Sequence, residues 1–363
     1  MVVCPETAWG KTLDIGAAQA AARQASRAPF PLELFVGEVV GAGAGDFAAE
    51  LAYFNAHGPE LRAAMLKNGA VLLRGFGLTK TPEGFQQMYQ ALGLVPCLDP
   101  LHSVAARPMV SKGSAVYEAV NKESRKNFFI GMHNEFVGKR APKAAAFVCF
   151  KAAEEGGEFL LGDGRKILAD LDESLVRRLY DRSIRYSVME LPFFGWVDSL
   201  PEPLRLPVKA VVKGVVTTAL NAKVDFDVEL VWQDSGKYDG SGSMLQARAP
   251  VQPPVVEHPL TGEPTWFCNV HSHSSVLRRQ REALYGAERF EGGASQINKS
   301  DMYYGDGEAL SDAELDQLDK VTMDNVKFVK MREGDVVLLD NYVTMHGRNV
   351  FEGTRKHAVT WFQ

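Results

Sequence analysis

From Leu101 onward the chain breaks into short apolar, β-prone runs separated by glycine, proline and charged turns. This punctuation limits the available folds more than any other feature, because many short strands must close on one another as a β-sandwich or barrel. The runs are AAAFVCF (144–150), RSIRYSVMEL (182–191), PPVVEHP (253–259), EPTWFCNV (263–270), GDVVLLDNYV (334–343) and KHAVTWF (356–362). Two helical stretches interrupt them, RKILADLDESLVRRLYDR (165–182) and SDAELDQLDKVTMDN (311–325).

Before Leu101 the texture differs. Asp46–Gly69 has apolar residues at helical spacing, broken at Gly58-Pro59, and Ala70–Leu78 follows as a buried strand closed by glycines. Thr81-Pro82 opens a second helix that runs to Gly93. Both helices are expected on the outside of the strand-rich core. Residues 1–45 read as an N-terminal extension, and 46–363 as a single domain with a less regular insert around 197–246. Within that insert, DSGKYDGSGS (234–243) reads as a loop or lid, since so much Gly and Ser sustains no packed element.

At 363 residues, with 46% hydrophobic and 23% charged residues, the chain suits a folded core and not a disordered one. A net charge of -5 with no dense Lys/Arg cluster argues against nucleic acid as a partner. No apolar run approaches the roughly 18–20 residues of a membrane span, and the N-terminus lacks the basic-then-apolar order of a secretory signal. Four scattered cysteines without C-x-x-C fit buried hydrophobes, so a reducing cytoplasmic setting is expected, with organellar targeting left open. The expected partner is a small-molecule substrate; oligomeric state is not legible.

One stretch carries chemistry. In KNFFIGMHNEF, His133 and Glu135 stand two residues apart, and on an extended backbone both would point to one face. That suits two ligands gripping one metal ion, and equally a His–Glu hydrogen bond on a solvated edge. GDVVLLDNYVTMHGRNVFEGTRKHAVTWF near the C-terminus adds a second histidine, His346, followed by Arg355. Two histidines and a carboxylate with the opposite face open form the facial triad of non-haem Fe(II) oxygenases.

Together with their order, these motifs resemble the taurine-dioxygenase/clavaminate-synthase-like family of Fe(II)- and 2-oxoglutarate-dependent oxygenases. NGAVLLRGFGL (68–78) resembles the family's N-terminal strand and GMHNEF (131–136) its H-x-D/E strand. AAEEGGEFLLGDGRKIL (152–168), HPLTGEPTWFCNV (258–270) and LLDNYVTMHGRNVFEGTRKH (338–357) resemble the later stretches. The resemblance implies an α+β fold with a double-stranded β-helix (jelly roll) core and flanking helices. It implies that His133, Glu135 and His346 bind Fe(II), that Arg355 binds the far carboxylate of 2-oxoglutarate, and that O2 is the other cosubstrate. One departure stands out. Where the family usually has threonine after GGE, this chain has Phe159, so another hydroxyl replaces it or the cosubstrate sits differently.

Further candidates are weaker. His271 and His273 in NVHSHS share a face if extended and are candidate substrate contacts. Arg348 suits a substrate carboxylate or a local acid such as Glu352; His357 shares the face of Arg355. Phe193, Phe194 and Trp196 read as core or pocket wall. The implied activity is oxidation of a C–H bond of a small, amino-acid-derived or carboxylic acid substrate, by hydroxylation or by cyclisation or desaturation. The alternative is a catalytically inactive jelly-roll sensor that binds metal or a 2-oxo acid, which Phe159 favours.

Overall fold

The structure is a computed structural model describing residues 3–6, 12–100, 102, 107–110, 115–119, 126, 129–223, 228–234, 242–274, 277, 279, 283 and 301–363. Two compact units emerge, the first from Met1–Val176, Val255–Asn269 and Lys320–Gln363, the second from Arg177–Pro254 and Val270–Asp319.

In the first unit a six-stranded sheet runs in the order Leu32–Phe35, Ala70–Arg74, Val336–Asp340, Ala144–Lys151, Lys356–Phe362, Tyr117–Glu118. Its first pair is parallel and the others are antiparallel. The period-2 alternation of strands explains its continuous apolar runs. Val71, Leu73, Ala146, Val148, Val336 and Leu338 face a cluster with Phe54, Leu61, Met65, Phe85 and Met88 of the two helices Phe47–Asn68 and Pro82–Ala91. Their neighbours Leu72, Ala145, Phe147, Val337, Leu339 and Trp361 join Phe159 and Leu161 in a second cluster. Those last two belong to a four-stranded antiparallel sheet ordered Val326–Val329, Phe159–Asp163, Thr344–Arg348, Ile130–His133.

The expected break at Gly58-Pro59 is a kink: one helix runs through Phe47–Asn68, with only His57 outside helical geometry. Within the N-terminal extension, residues 15–35 form a helix and a strand. Helix Ile15–Ala25 is capped by Asp14. From it, buried Gln19 donates to the carbonyls of Leu168 and Leu171 at 2.8 Å each. Leu32–Phe35 supplies the sheet's parallel edge strand. Sequence patterning missed this because the helix is Ala-rich and its packing partners lie some 150 positions away.

A buried carboxylate ties helix to sheet. Glu50, fully buried, accepts from the backbone N–H groups of Gly45 (2.9 Å), Gly77 (3.1 Å) and Leu78 (2.7 Å). Glu50→Ala removes the acceptor of all three donors, and of these the Leu78 N–H is buried, where an unsatisfied donor costs about 1–3 kcal/mol. We expect a net loss of about 2–4 kcal/mol, read as a lowered urea midpoint, with Glu50→Gln losing less because it keeps an acceptor oxygen.

The second unit has its own antiparallel sheet, ordered Met302–Tyr304, Ile184–Leu191, Ser243–Arg248, Glu229–Asp234. The insert expected to be less regular contains two of these strands and the 20-residue helix Glu202–Asn221. Pro203, Pro207 and a β-branched run disguise that helix in the sequence. Phe193 and Trp196, expected as core or pocket wall, are more than half exposed, whereas Phe194 packs against the cluster of Leu191, Leu230 and Leu245. The Gly/Ser-rich loop around Asp239 lies outside the described residues.

All four cysteines are buried free thiols, and Cys4 and Cys97 meet at 3.0 Å between sulfurs. No helix among the described residues is long and apolar enough to cross a membrane.

Candidate metal centre

His133 ends strand Ile130–His133, and His346 lies mid-way along Thr344–Arg348. The antiparallel register sets the two residues directly opposite each other, and their ring centroids are 4.3 Å apart. Gly347 permits that close pairing. A Cβ there would stand 2.5 Å from the Ile130 carbonyl oxygen and 3.2 Å from Met132 Sδ.

The strand ends at His133, so Glu135 lies just beyond it. Asparagine side chains hold the segment that follows. The Glu135 N–H donates to Asn341 Oδ1 at 2.9 Å, and Asn341 Nδ2 donates to the carbonyls of Glu135 (2.8 Å) and Pro142 (2.9 Å). The Asn134 N–H donates to Asn269 Oδ1 at 2.9 Å, and its Nδ2 donates to the Asn341 carbonyl at 2.8 Å. The asparagines of D-N-Y and W-F-C-N are thus the scaffold of the turn. As a result His133, Glu135 and His346 each present a donor atom within 4.8 Å of the others.

Their protonation suits metal binding. His133 Nδ1 donates to the Gly131 carbonyl at 2.8 Å, which leaves the lone pair on Nε2. Burial, then the nearby His133 and Arg107, hold His346 well below the ordinary imidazole pKa, so it is neutral. Aromatic rings fix its plane: Phe159 stacks on it at 6.0 Å and 8°, and Phe147 lies 4.9 Å away.

These residues border a cavity whose wall also includes Ile130, Phe147, Phe159 and Trp361. Arg348 and Arg355 also line it, and both are buried. Burial first, and then the charge of Arg348, pull the Arg355 guanidinium down to about 9. Two like charges held so close out of water favour an anion between them. Arg355 Nη2 donates to His357 Nδ1 at 2.9 Å. Burial, followed by Arg355 and Arg348, keeps His357 well below its usual pKa, which makes it a neutral acceptor. Lys356, the residue after Arg355, is exposed. Arg348 lies over the Phe351 ring at 4.8 Å, while the local acid Glu352 is at the surface and pairs with Lys126. Phe159, in the position of the usual threonine, is part of the cavity wall.

His271 and His273 correct an expectation. They sit in the short helix Val270–His273, not a strand, so their side chains do not share a face. His271 Nε2 is 3.0 Å from Asp319 Oδ1 and His273 packs on Tyr186. The sequence reading missed Arg107, which lines the cavity and contacts Glu135. No motif in AARPM signals it.

Comparison with known proteins gives one family match and several distant likenesses. The family described as "Taurine catabolism dioxygenase TauD, TfdA family" matches residues 30–361. The dapdiamide synthesis protein DdaC of Enterobacter agglomerans is 24% identical over 311 residues, covering 85% of each chain. Among solved structures, an asparagine oxygenase in complex with Fe(II), 2S,3S-3-hydroxyasparagine and succinate is 13% identical. That match covers 98% of this chain and 93% of the other, with a TM-score of 0.48. PvcB from Pseudomonas aeruginosa is 16% identical, covering 84% of this chain and 79% of the other, with a TM-score of 0.46.

Proposed function

Since the chain belongs to the taurine catabolism dioxygenase TauD, TfdA family, we propose that His133, Glu135 and His346 hold Fe(II) and that Arg355, with Arg348, receives 2-oxoglutarate. The enzyme class itself follows from the family: the chain is a non-haem iron oxygenase that uses Fe(II), 2-oxoglutarate and O2. The carrying observation is the convergence of three donor atoms within 4.8 Å beside a cavity that also contains Arg355. Two imidazoles and one carboxylate are the donor set that suits Fe(II), so the residues fit the metal. When bound, the iron supplies the oxidising chemistry.

The chain's own part is placement. The facing sheets read as the two halves of a double-stranded β-helix, with His133 and His346 on strands of one half. Arg355, oriented by His357, is proposed to take the distal carboxylate of 2-oxoglutarate in a bidentate grip. Arg348 is proposed to supply the second set of donors that the family's threonine usually gives, since Phe159 cannot donate. Phe147, Phe159 and Trp361 line the site with carbon and exclude water.

The substrate is proposed to be a small amino-acid-derived or other carboxylic acid, oxidised at a C–H bond by hydroxylation, with cyclisation or desaturation as the other outcome. The likeness to a dapdiamide synthesis protein supports that class. Formation of succinate from 2-oxoglutarate with Fe(II), O2 and a panel of amino acid derivatives tests the proposal. Metal and 2-oxoglutarate binding without succinate under any substrate would favour the sensor instead.

The asparagine scaffold provides a second check. Asn341→Ala removes every hydrogen bond that side chain makes to the ligand turn. Outer partners of metal ligands typically contribute about 10–100-fold in affinity. We expect Mn(II) binding, followed by electron paramagnetic resonance, to weaken at least about tenfold.

A further inference from the structure

We propose that Arg107, anchored on Asp99, is a positioning residue that makes Glu135 offer the metal a single oxygen. This rests on the assignment of Glu135 as a ligand. Arg107 Nη2 lies 3.1 Å from Oε1 and 3.1 Å from Oε2 of Glu135. Equal distances mean that this one nitrogen is shared between the two oxygens. A metal ion chelated by both oxygens would compete with that nitrogen for the same pair of acceptors. With Arg107 there, an ion reaches Glu135 through one oxygen while the other keeps its N–H.

The guanidinium is itself held. Its Nη1 donates to Asp99 Oδ1 at 3.2 Å, and its backbone N–H donates to Asp99 Oδ2 at 3.1 Å. Asp99 is fully buried. The adjoining backbone is tied to strand Tyr117–Glu118, where the Glu118 N–H donates to the Pro108 carbonyl at 2.8 Å. The Trp361 ring lies 5.3 Å beneath the guanidinium carbon, within cation–π range. Asp99 also offsets the charge of Arg107, so the pair orients a carboxylate without placing a net positive charge beside a divalent ion.

The consequence concerns the cosubstrate. Two histidines and a one-oxygen carboxylate leave half of an octahedral shell open. A two-oxygen Glu135 would consume one of the positions that a chelating 2-oxo acid needs. Arg107 is therefore expected to govern 2-oxoglutarate affinity through Glu135, without touching 2-oxoglutarate.

The test is an anaerobic titration of the full-length chain, loaded with Fe(II), using 2-oxoglutarate and following the visible charge-transfer band. Arg107→Gln should weaken 2-oxoglutarate at least about tenfold and displace the band. Arg107→Lys, which keeps one charged donor, should recover part of both. Asp99→Asn, which leaves every cavity residue in place, should move both in the direction of Arg107→Gln, and it carries the test if Arg107→Gln does not fold. Wild-type titration curves and an unmoved band in Asp99→Asn and Arg107→Gln would overturn the assignment. So would a rise confined to the substrate KM, which would make Arg107 a substrate contact. A wild-type protein that shows no band would instead overturn the iron assignment, and this one with it, so the two failures are distinguishable.

Discussion

Arg355→Ala is expected to weaken 2-oxoglutarate binding at least about a hundredfold while leaving metal binding intact. The distal carboxylate must be buried at the end of a cavity, and a buried carboxylate without a partner is costly. A charged hydrogen bond contributes about 1.5–3 kcal/mol, and breaking a buried ion pair costs about 3–5 kcal/mol. A hundredfold loss corresponds to about 2.8 kcal/mol, inside that range. Phe159 shares none of the load, and Arg348, the other cationic group beside Arg355, keeps the loss from running higher. Lys356→Ala, at an exposed neighbouring position, should change little. Calorimetric titration of the Mn(II)-loaded protein reads both variants. A Lys356→Ala protein that lost 2-oxoglutarate while Arg355→Ala retained it would reverse the assignment.

His346→Ala is expected to abolish the anaerobic charge-transfer band of Fe(II) with 2-oxoglutarate altogether. Only His133 and Glu135 would remain to hold the metal. The ring is also the centre of its aromatic setting, in contact with Phe147, Phe159 and Trp361. Its loss therefore opens a void that a folding control must monitor; His346→Gln fills more of that void and offers a poor ligand. Retention of the band and full turnover in a folded His346→Ala protein would refute the metal centre as assigned.

The sequence by itself made the local elements legible. Val336–Asp340, Ala144–Lys151 and Lys356–Phe362 lie where apolar runs between turns put them, and helix Pro82–Ala91 begins at its Thr-Pro signal. It also made His133, Glu135, His346 and Arg355 candidates, because H-x-E and the strand that carries His346 leave short patterns in the chain. Helix Glu202–Asn221 was not legible, since its prolines and β-branched residues contradict local propensity. The helical turn at His271 and His273 was missed for a related reason: four residues give no period to read.

Only the tertiary structure decided which groups meet. A cross-strand register pairs His346 with His133 across more than two hundred positions, and a one-residue slip would turn one ring to the other face. Asn341 and Asn269, ordinary residues in a linear reading, hold the turn that returns Glu135 to the histidines. Asp99 and Arg107 left no pattern at all, because their significance lies in where two oxygens of Glu135 stand relative to one nitrogen. Periodicity along a chain reports which face a side chain takes; the partner across the cavity is fixed by sheet register and by loops, and neither is periodic.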